Sequence, residues 1–382
     1  MTFSVGAFIV TISNDIQSFA TAWPKLRELE KAENARSYAF QCRDHLEIWL
    51  ETIGAERHTR PLFVSVSDDA GRPVMMIALG IEKHNGVRFL GFLDGGVVDY
   101  NAPVLFGSAA GLAQADAVAL WSSILRLAPA HDVVVLQKVP QYVGDIPNPF
   151  YKLAAEPWPA SGYFLTLDPG HDNRALQRST YAADNRRQRK RLSEIGELRF
   201  GIARNEREIA DVFDTFVRQK SRRYAETGAH NGLDVPAKRA YYSALAQRLS
   251  NGNGVQLSYL SVDHQIVATH WGLVAGRRFY YLMPAYEAGI WRKFSPGRLL
   301  MEELVAWSYD NGIEAFDLGI GDEEYKLKWR AQAIALSGGL IPITIVGRTY
   351  CAVVQARGAL KRRLPPGVIR VIKSLQTKTH KS

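Results

Sequence analysis

A weak internal repeat constrains the fold of this chain more than any other feature of the sequence. Residues 69–71 and 263–265 are turn-forming segments, each flanked by two apolar strand patterns. Each hairpin pattern ends in a Gly-x-Arg-Phe motif, at residues 86–89 and 276–279. The paired motifs are separated by 194 and 190 residues. A near-constant separation of this size predicts two tandem copies of one fold.

Alternating strand and helix patterns place both copies in the mixed α/β class. Apolar runs predict a first strand at Phe8-Ile9-Val10 and further strands at residues 74–79, 133–136, 256–262, 267–274 and 279–282. Apolar spacing predicts helices at residues 109–127, 207–224, 237–249 and 298–309. We predict an N-terminal domain over residues 1–165, a C-terminal domain over residues 166–347 and a basic helical tail over residues 348–382. Each domain is expected to be a mixed central sheet flanked by helices.

The net charge of +9 is concentrated in residues 348–382, which hold nine basic and no acidic residues. The remaining 38 basic residues balance the 38 acidic ones, so the sequence does not favour general nucleic-acid binding. Within the tail, residues 367–375 combine apolar and basic side chains, a composition that suits peripheral contact with an anionic membrane. A last helix docked on the protein is the alternative.

The cysteine pattern and the apolar runs indicate a cytoplasmic protein without a metal site. Cys42 and Cys351 lie far apart and belong to no Cys/His cluster, so neither a disulfide framework nor a zinc site is expected. The apolar run at residues 8–10 is too short for a secretory signal. A membrane span requires roughly 18 to 20 continuous apolar residues, and no segment approaches that length.

A dense basic segment at residues 174–192 has two interpretations. Its basic residues face only one acidic residue within the segment, Asp184, and like charges at this density repel one another. The segment is either a solvated helix between the domains or an electropositive lip for CoA phosphates or an anionic acceptor.

The candidate chemistry is concentrated in residues 268–330, because familiar catalytic motifs are absent elsewhere. The sequence contains no GxSxG elbow, phosphate-binding GxxxxGK[ST] loop or HExxH pair. Residues 319–321 resemble part of a dinucleotide fingerprint, but the acidic residues 322–324 that follow would repel a pyrophosphate.

The C-terminal half resembles the acetyltransferase branch of the GNAT superfamily that includes CelD-like cellulose-biosynthesis proteins, which is similar in turn to the FemAB peptidyltransferases. The motifs that carry the resemblance are Ser295-Pro296-Gly297-Arg298-Leu299-Leu300, Phe316-Asp317-Leu318-Gly319 and Gly321-Asp322-Glu323-Glu324-Tyr325-Lys326-x-x-Trp329. In the N-terminal half the resemblance includes Phe92-Leu93, Asp99-Tyr100-Asn101-Ala102-Pro103 and Val139-Pro140, and it also includes the end of the basic helix at residues 187–192. Together these motifs span most of residues 40–345.

The resemblance implies a CoA cofactor site at the predicted helix that begins near Pro296. Ser295 and Gly297 would leave backbone amides open to a pyrophosphate, and Arg298 would add positive charge. Leu299 lies in the same turn, and Tyr281 lies on the strand expected to line the pantetheine arm. The co-substrate would be acetyl-CoA or a longer acyl-CoA. The chain lacks the glycine-rich phosphate motif of simple GNAT enzymes, and an ordinary helix start is the structural alternative.

Four residues are candidates for acyl-transfer chemistry. An amine must lose a proton as it attacks a thioester, so a base is required, and His270 and Asp317 are the candidates. Tyr325 is the candidate acid, and Lys326 would bind the carbonyl or an anionic substrate. Structural alternatives remain open, since His270 would also suit the core and Asp317 a turn cap. Tyr325 and Lys326 would also suit the first turn of a helix, with Lys326 paired to Asp322.

The N-terminal copy is predicted to bind the acceptor rather than the cofactor. Pro103 is predicted to open a helix as Pro296 does, but Val104 stands where the C-terminal copy has Gly297. Asp99, Tyr100 and Asn101 precede that position and offer groups suited to a polar acceptor such as a sugar. A turn held by their side-chain hydrogen bonds is the alternative.

These features predict an enzyme that transfers an acyl group from acyl-CoA to an amine or hydroxyl. The resemblance implies a small-molecule or saccharide acceptor related to the cell envelope. One alternative is FemAB-like aminoacyl transfer from charged tRNA, and another is a non-catalytic component of a polysaccharide-synthesis complex.

Overall fold

The computed structural model describes residues 1–29, 35–154, 156–168, 180–250, 252 and 254–363, with side chains to residue 357. The predicted tail helix at residues 367–375 and the first part of the basic segment, residues 174–179, lie outside the described residues. The helices are α1 (Arg43–Trp49), α2 (Gln114–Leu127), α3 (Ala182–Ser193), α4 (Glu206–Thr227), α5 (Pro236–Leu249), α6 (Pro296–Asp310), α7 (Glu324–Lys328) and α8 (Ile345–Arg363).

The strands form two large sheets and one small hairpin. Those of the first half are β1 (Thr2–Val5), β2 (Phe8–Ser13), β3 (Ala35–Arg36), β4 (Arg60–Asp68), β5 (Pro73–His84), β6 (Val87–Phe92), β7 (Val104–Phe106), β8 (Val133–Pro140), β9 (Tyr142–Val143), β10 (Ile146–Pro147), β11 (Glu156–Pro157) and β12 (Gly162–Thr166). Those of the second half are β13 (Leu198–Ile202), β14 (Val255–Val262), β15 (Gln265–Ala275), β16 (Arg278–Tyr286), β17 (Ala315–Ile320), β18 (Gln332–Ile334) and β19 (Leu336–Pro342).

Both large sheets repeat one topology, which confirms the predicted pair of mixed α/β units. The N-terminal sheet runs β1-β2-β4-β5-β6-β8-β19-β11 and the C-terminal sheet runs β13-β14-β15-β16-β17-β12-β18. In each, antiparallel hairpins lead to a helix that crosses over to a parallel strand. The parallel pairs are β6 with β8, around α2, and β16 with β17, around α6.

The two sheets exchange strands. The strand β12 pairs with β17 in the C-terminal sheet, although it precedes most of that half in sequence. The strand β19 returns to pair with β8 in the N-terminal sheet. Strand pairing therefore crosses the predicted domain boundary at residue 165 in both directions, and the two halves are interlocked.

The local predictions agree with the structure except at three places. Val104 to Phe106 form β7, which pairs with β5, so Pro103 precedes a strand and not a helix. Val104 and Leu105 are apolar residues that are buried, and pairing with β5 in the sheet allows this burial. Helix α2 begins only at Gln114, five residues after the predicted start. The N-terminus holds two strands, β1 and β2, joined at Gly6 with a φ of 56°.

Candidate functional site

A cleft opens where β16 and β17 separate. The two strands are paired only where Arg278–Tyr280 lie opposite Ala315–Asp317, and beyond this point they diverge. A cavity of about 370 Å³ lies beside the diverging strands and the N-terminus of α6. Its lining includes five of the predicted site residues, namely Tyr281, Ser295, Gly297, Arg298 and Tyr325. Leu299, the other predicted cofactor residue, is fully buried in the core beneath the cavity.

The first turn of α6 forms one end of this cavity. Ser295 has left-handed backbone angles, with a φ of 52° and a ψ of 50°, and Pro296 occupies the first helical turn. The Ser295 carbonyl accepts hydrogen bonds from the amides of Arg298 and Leu299. Within the described part of the chain the Gly297 amide makes no backbone hydrogen bond. A Cβ at Gly297 would lie 3.0 Å from Tyr286 Cδ1, so glycine keeps this helix terminus open.

Basic and aromatic side chains surround the same helix terminus. The Arg298 guanidinium lies 4.6 Å from the centre of the Tyr181 ring and forms an ion pair with Asp184. The Lys328 ammonium lies 5.6 Å from the same ring, and Arg292 lines the cavity. The rim of the cavity therefore carries three basic side chains, although Arg298 is paired with Asp184 and Lys328 with Glu324.

The described part of the basic segment, residues 180–192, is docked on α6 instead of being a solvated helix between domains. Arg189 on α3 pairs with both Glu302 and Glu303 on α6. Asp184 accepts from Arg298 as well as from Arg187. The repulsion expected from the isolated segment is therefore offset by carboxylates of a neighbouring helix, which were not considered in the sequence prediction.

Asp317 lies at the centre of a buried polar cluster that joins the halves. It is fully buried and accepts from the Tyr100 hydroxyl at 2.9 Å and from Arg278 Nε at 2.8 Å. It also accepts from the Gly319 amide at 2.7 Å, which is the turn-capping alternative considered above. The Arg278 guanidinium lies 5.3 Å from the Tyr38 ring centre, and the Asp317 carboxylate offsets the cost of burial and raises the pKa of Arg278. Both carboxylate oxygens of Asp317 therefore accept hydrogen bonds from groups of the protein itself.

Sequence reasoning overlooked Arg278 as a site residue. The residue stands in the Gly-x-Arg-Phe motif that identified the repeat. Its partner Asp317 lies 39 residues further along the chain, and the parallel pairing of β16 with β17 brings the two together. The motif itself singles out Arg278, but nothing in the motif indicates that Asp317 is its partner.

Asp99 extends from the N-terminal half to the open end of β17. Its Oδ2 accepts from the Ile320 amide at 3.3 Å, and a Cβ at Gly319 would lie 2.4 Å from that oxygen. Burial and, to a smaller extent, the charge of Asp317 raise the pKa of Asp99, Lys138 and Lys326 oppose the shift, and the resulting pKa is about 6. A carboxyl group with this pKa exchanges protons near neutral pH.

The other two residues that were predicted to bind the acceptor, Tyr100 and Asn101, are buried and form hydrogen bonds within the protein. Tyr100 is fully buried, and its hydroxyl is used by Asp317. Asn101 is also buried and donates to Asp94 at 2.6 Å and to the Gln137 carbonyl at 2.9 Å. These bonds correspond to the side-chain-held turn considered as the alternative. They hold the loop that carries Asp99.

Helix α7 carries Tyr325 and Lys326, of which Tyr325 lines the cavity and Lys326 bonds the protein backbone. Lys326 is buried, and its Nζ donates to the carbonyls of Gly319 at 3.1 Å and Gly321 at 2.8 Å. Its carboxylate partner is Glu323 at 2.9 Å, and not the expected Asp322. Tyr325 lines the cavity, and burial, Glu323 and Asp99 raise the pKa of its hydroxyl.

His270 is a buried core residue on β15. Its ring stacks on Tyr281 with the ring centres 4.5 Å apart and an angle of 5° between the planes. Neither ring nitrogen has a hydrogen-bond partner among the described residues. Burial, with a further contribution from Lys220, lowers the pKa of His270 to about 3. The imidazole is therefore neutral and weakly basic at neutral pH.

Two absences concern only the described residues. No group of three or more His, Cys, Asp or Glu side chains in that part of the chain is arranged to hold a metal ion. None of the described helices combines the length and apolar character needed to cross a membrane.

Comparison with known proteins identifies the class of the second half. Residues 179–327 match the family model described as an acetyltransferase (GNAT) domain. This segment, less than half of the chain, contains α6, β16, β17 and most of the cavity lining. No curated protein sequence matches the chain. A GNAT acetyltransferase domain is therefore confirmed for this segment, while the CelD-like branch stays a prediction.

A solved structure, that of FemX, shares the fold over most of the chain. The crystal structure of FemX has a TM-score of 0.58 at 12% sequence identity, covering 84% of this chain and 96% of FemX. A conserved protein of unknown function from Bacteroides thetaiotaomicron has a TM-score of 0.49 at 11% identity, covering 88% and 100%. A tandem GNAT protein from the clavulanic acid biosynthesis pathway has a TM-score of 0.46 at 12% identity, covering 87% and 98%. At such identities the likeness to FemX concerns the fold alone. With the repeated sheet topology, the chain folds as two tandem GNAT-like units.

Proposed function

We propose that the protein transfers an acyl group from acyl-CoA to an amine or hydroxyl of a small-molecule or saccharide acceptor. The single observation that supports this proposal most is the cavity beside the end of β16 that is not paired with β17, which reaches the N-terminus of α6. That shape offers an apolar cleft for a thioester arm and a positive terminus for phosphate.

The donor is proposed to lie along the cavity with its pyrophosphate at α6. The Gly297 amide and the guanidinium groups of Arg292 and Arg298 would hold the phosphate oxygens. The acyl-pantetheine arm would pass between Tyr281 and Pro284, which line the cavity. This arrangement would put the thioester near Tyr325, whose hydroxyl feels the charge of Asp99 from the N-terminal half.

We assign proton abstraction to Asp99 in place of His270 and Asp317. The acceptor nitrogen or oxygen attacks the thioester carbonyl carbon, the new bond to carbon forms, and the carbon–sulfur bond breaks. Asp99 receives the proton that the acceptor loses and releases it to solvent. His270 is too weakly basic for this task, and Asp317 is held by Arg278 and Tyr100.

The remaining predicted residues then have positioning or electrostatic roles. Because its raised pKa keeps it protonated, Tyr325 acts as a hydrogen-bond donor to the departing thiolate rather than as a full acid. CoA leaves as the thiolate and then takes a proton from solvent. Lys326 holds the Gly319–Gly321 turn beside Asp99.

Calorimetric titration with acetyl-CoA, a longer acyl-CoA and free CoA tests the donor site. We expect the wild type to bind, and Gly297→Val to weaken binding about tenfold or more, because the new side chain enters the phosphate cradle and crowds Tyr286. Gly107→Val is the matched control, since a Cβ there meets nothing within 4 Å and Gly107 lies in the other half. Absence of binding by the wild type, or equal binding by Gly297→Val, would refute the proposed donor site.

A second candidate donor is an aminoacyl-tRNA. Exposed basic residues on α3, including Arg186, Lys190 and Arg191, lie on the helix that docks beside the cavity, and phosphate contacts of this kind give binding that weakens steeply with salt. Retention of aminoacyl-tRNA that falls with salt, together with no heat of binding for any CoA compound, would favour this donor over acyl-CoA.

A further inference from the structure

The last described helix, α8, has a buried face that packs on the N-terminal sheet. A Cβ at Gly347 would lie 2.0 Å from the Asp132 carbonyl oxygen, so the helix backbone approaches the sheet closely. One turn later Cys351 is buried with Val87 and Val133. This face fixes the orientation of the helix and so determines which residues face outward.

The opposite face of α8 is apolar and exposed. Ile345, Val346 and Val353 are 80%, 51% and 44% exposed. At 100° per residue these three positions lie within one sector of about 120°, together with Thr349, Ala352 and Ala356, which are also exposed. An exposed row of apolar side chains on a packed helix is unfavourable in water and is typical of an interaction surface. We call these six residues the apolar stripe.

Positive charge flanks the apolar stripe on both sides. Arg348 and Arg357 are exposed at its two edges, and the sequence contains no acidic residue after Glu324. Further basic residues follow in the sequence at positions 361–363, 370, 373, 378 and 381. An apolar strip bordered by Lys and Arg is the pattern of a helix that lies in the interface of an anionic bilayer.

We infer that α8 docks on an anionic lipid surface through the apolar stripe, with Arg348 and Arg357 contacting lipid headgroups. The helix would lie parallel to the surface, because one of its faces is already packed on β6 and β19. A neutral protein partner would match the apolar residues but would leave the positive charges of Arg348, Arg357 and the following residues without a counterpart. The stripe belongs to the N-terminal unit and is separate from the cavity at α6.

Co-sedimentation of the full-length protein with phospholipid vesicles tests this inference. We expect the wild type to bind vesicles of phosphatidylcholine containing phosphatidylglycerol, and to bind pure phosphatidylcholine vesicles weakly. The Val346→Asp/Val353→Asp variant should bind the anionic vesicles about tenfold less or weaker still, since it places two carboxylates in the interface. Arg348→Glu/Arg357→Glu should remove the preference for phosphatidylglycerol. Val118→Asp on α2, at a position 43% exposed, is the matched control and should bind as the wild type does.

Several outcomes would overturn the inference. Equal sedimentation of Val346→Asp/Val353→Asp and the wild type would do so, as would membrane binding lost only when residues 364–382 are deleted. A wild-type dimer in analytical ultracentrifugation that the stripe variant converts to monomer would assign the stripe to self-association instead. Because each variant is also titrated with acetyl-CoA, a failed donor site and a failed membrane surface give different results.

Discussion

Asp317→Ala is expected to lower the free energy of unfolding by about 3 kcal/mol or more, because breaking a buried ion pair leaves one charge without compensation. Asp317 is fully buried, and it is held by Arg278 and by the Tyr100 hydroxyl of the other half. The substitution removes the carboxylate that accepts hydrogen bonds from both Arg278 and Tyr100. Its effect should therefore be felt on each side of the contact between the halves.

Urea unfolding followed by tryptophan fluorescence and circular dichroism measures this effect. Glu197→Ala is the control, because the Arg199–Glu197 pair has an N–O distance of 2.6 Å but both side chains are more than half exposed; no measurable change is expected there. Tyr100→Phe removes one neutral donor to the charged Asp317 carboxylate and should cost about 1.5–3 kcal/mol. An Asp317→Ala midpoint equal to that of the Glu197→Ala protein would show that the cluster does not stabilise the fold.

Local signals account for what the sequence predicted well. The turns at residues 69–71 and 263–265 depend on turn-forming residues between apolar runs, and both hairpins form as predicted. Such turn chemistry acts over a few residues. It needs no knowledge of distant partners.

Long-range pairing accounts for what the sequence did not predict. The exchange of β12 and β19 joins segments more than 140 residues from their partners, and no periodicity within a strand specifies its neighbour. At Pro103 the local signal was misleading, because burial of Val104 against β5 outweighs the helix-opening tendency of proline.

The candidate site was predicted in part for the same reason. The cavity residues near α6 are contiguous in one motif, whereas Tyr100 and Asp317 are 217 residues apart in sequence. A polar loop such as 99–101 resembles an exposed turn in sequence, and only the contact between the halves turns it inward. The role that we propose for Asp99 depends on that contact.

Asp99→Asn is expected to lower kcat for acyl transfer by about 10²- to 10⁴-fold, the range that a positioned general base contributes. The assay is release of the CoA thiol from acetyl-CoA with an amine or amino-sugar acceptor that supports turnover. In the wild type, kcat/KM should rise with pH through the pKa of Asp99, about 6, because the ionised carboxylate is the base. Asp69→Asn, in an exposed turn, is the control and should retain both the rate and the pH profile.

Stability distinguishes a base from a structural role for Asp99. Because the folded-state pKa is raised, the stabilisation from the neutral carboxyl is fully present below its unfolded pKa of about 3.9 and is lost as pH rises through about 6. Above pH 6 an asparagine, which is never charged, should therefore melt no lower than the wild type. Lys138 and Lys326 oppose the shift and limit any gain. A variant that loses turnover and melting temperature together would mean that Asp99 holds the contact between the halves, whereas lost turnover with an unchanged or higher melting temperature places its carboxylate in the proton transfer.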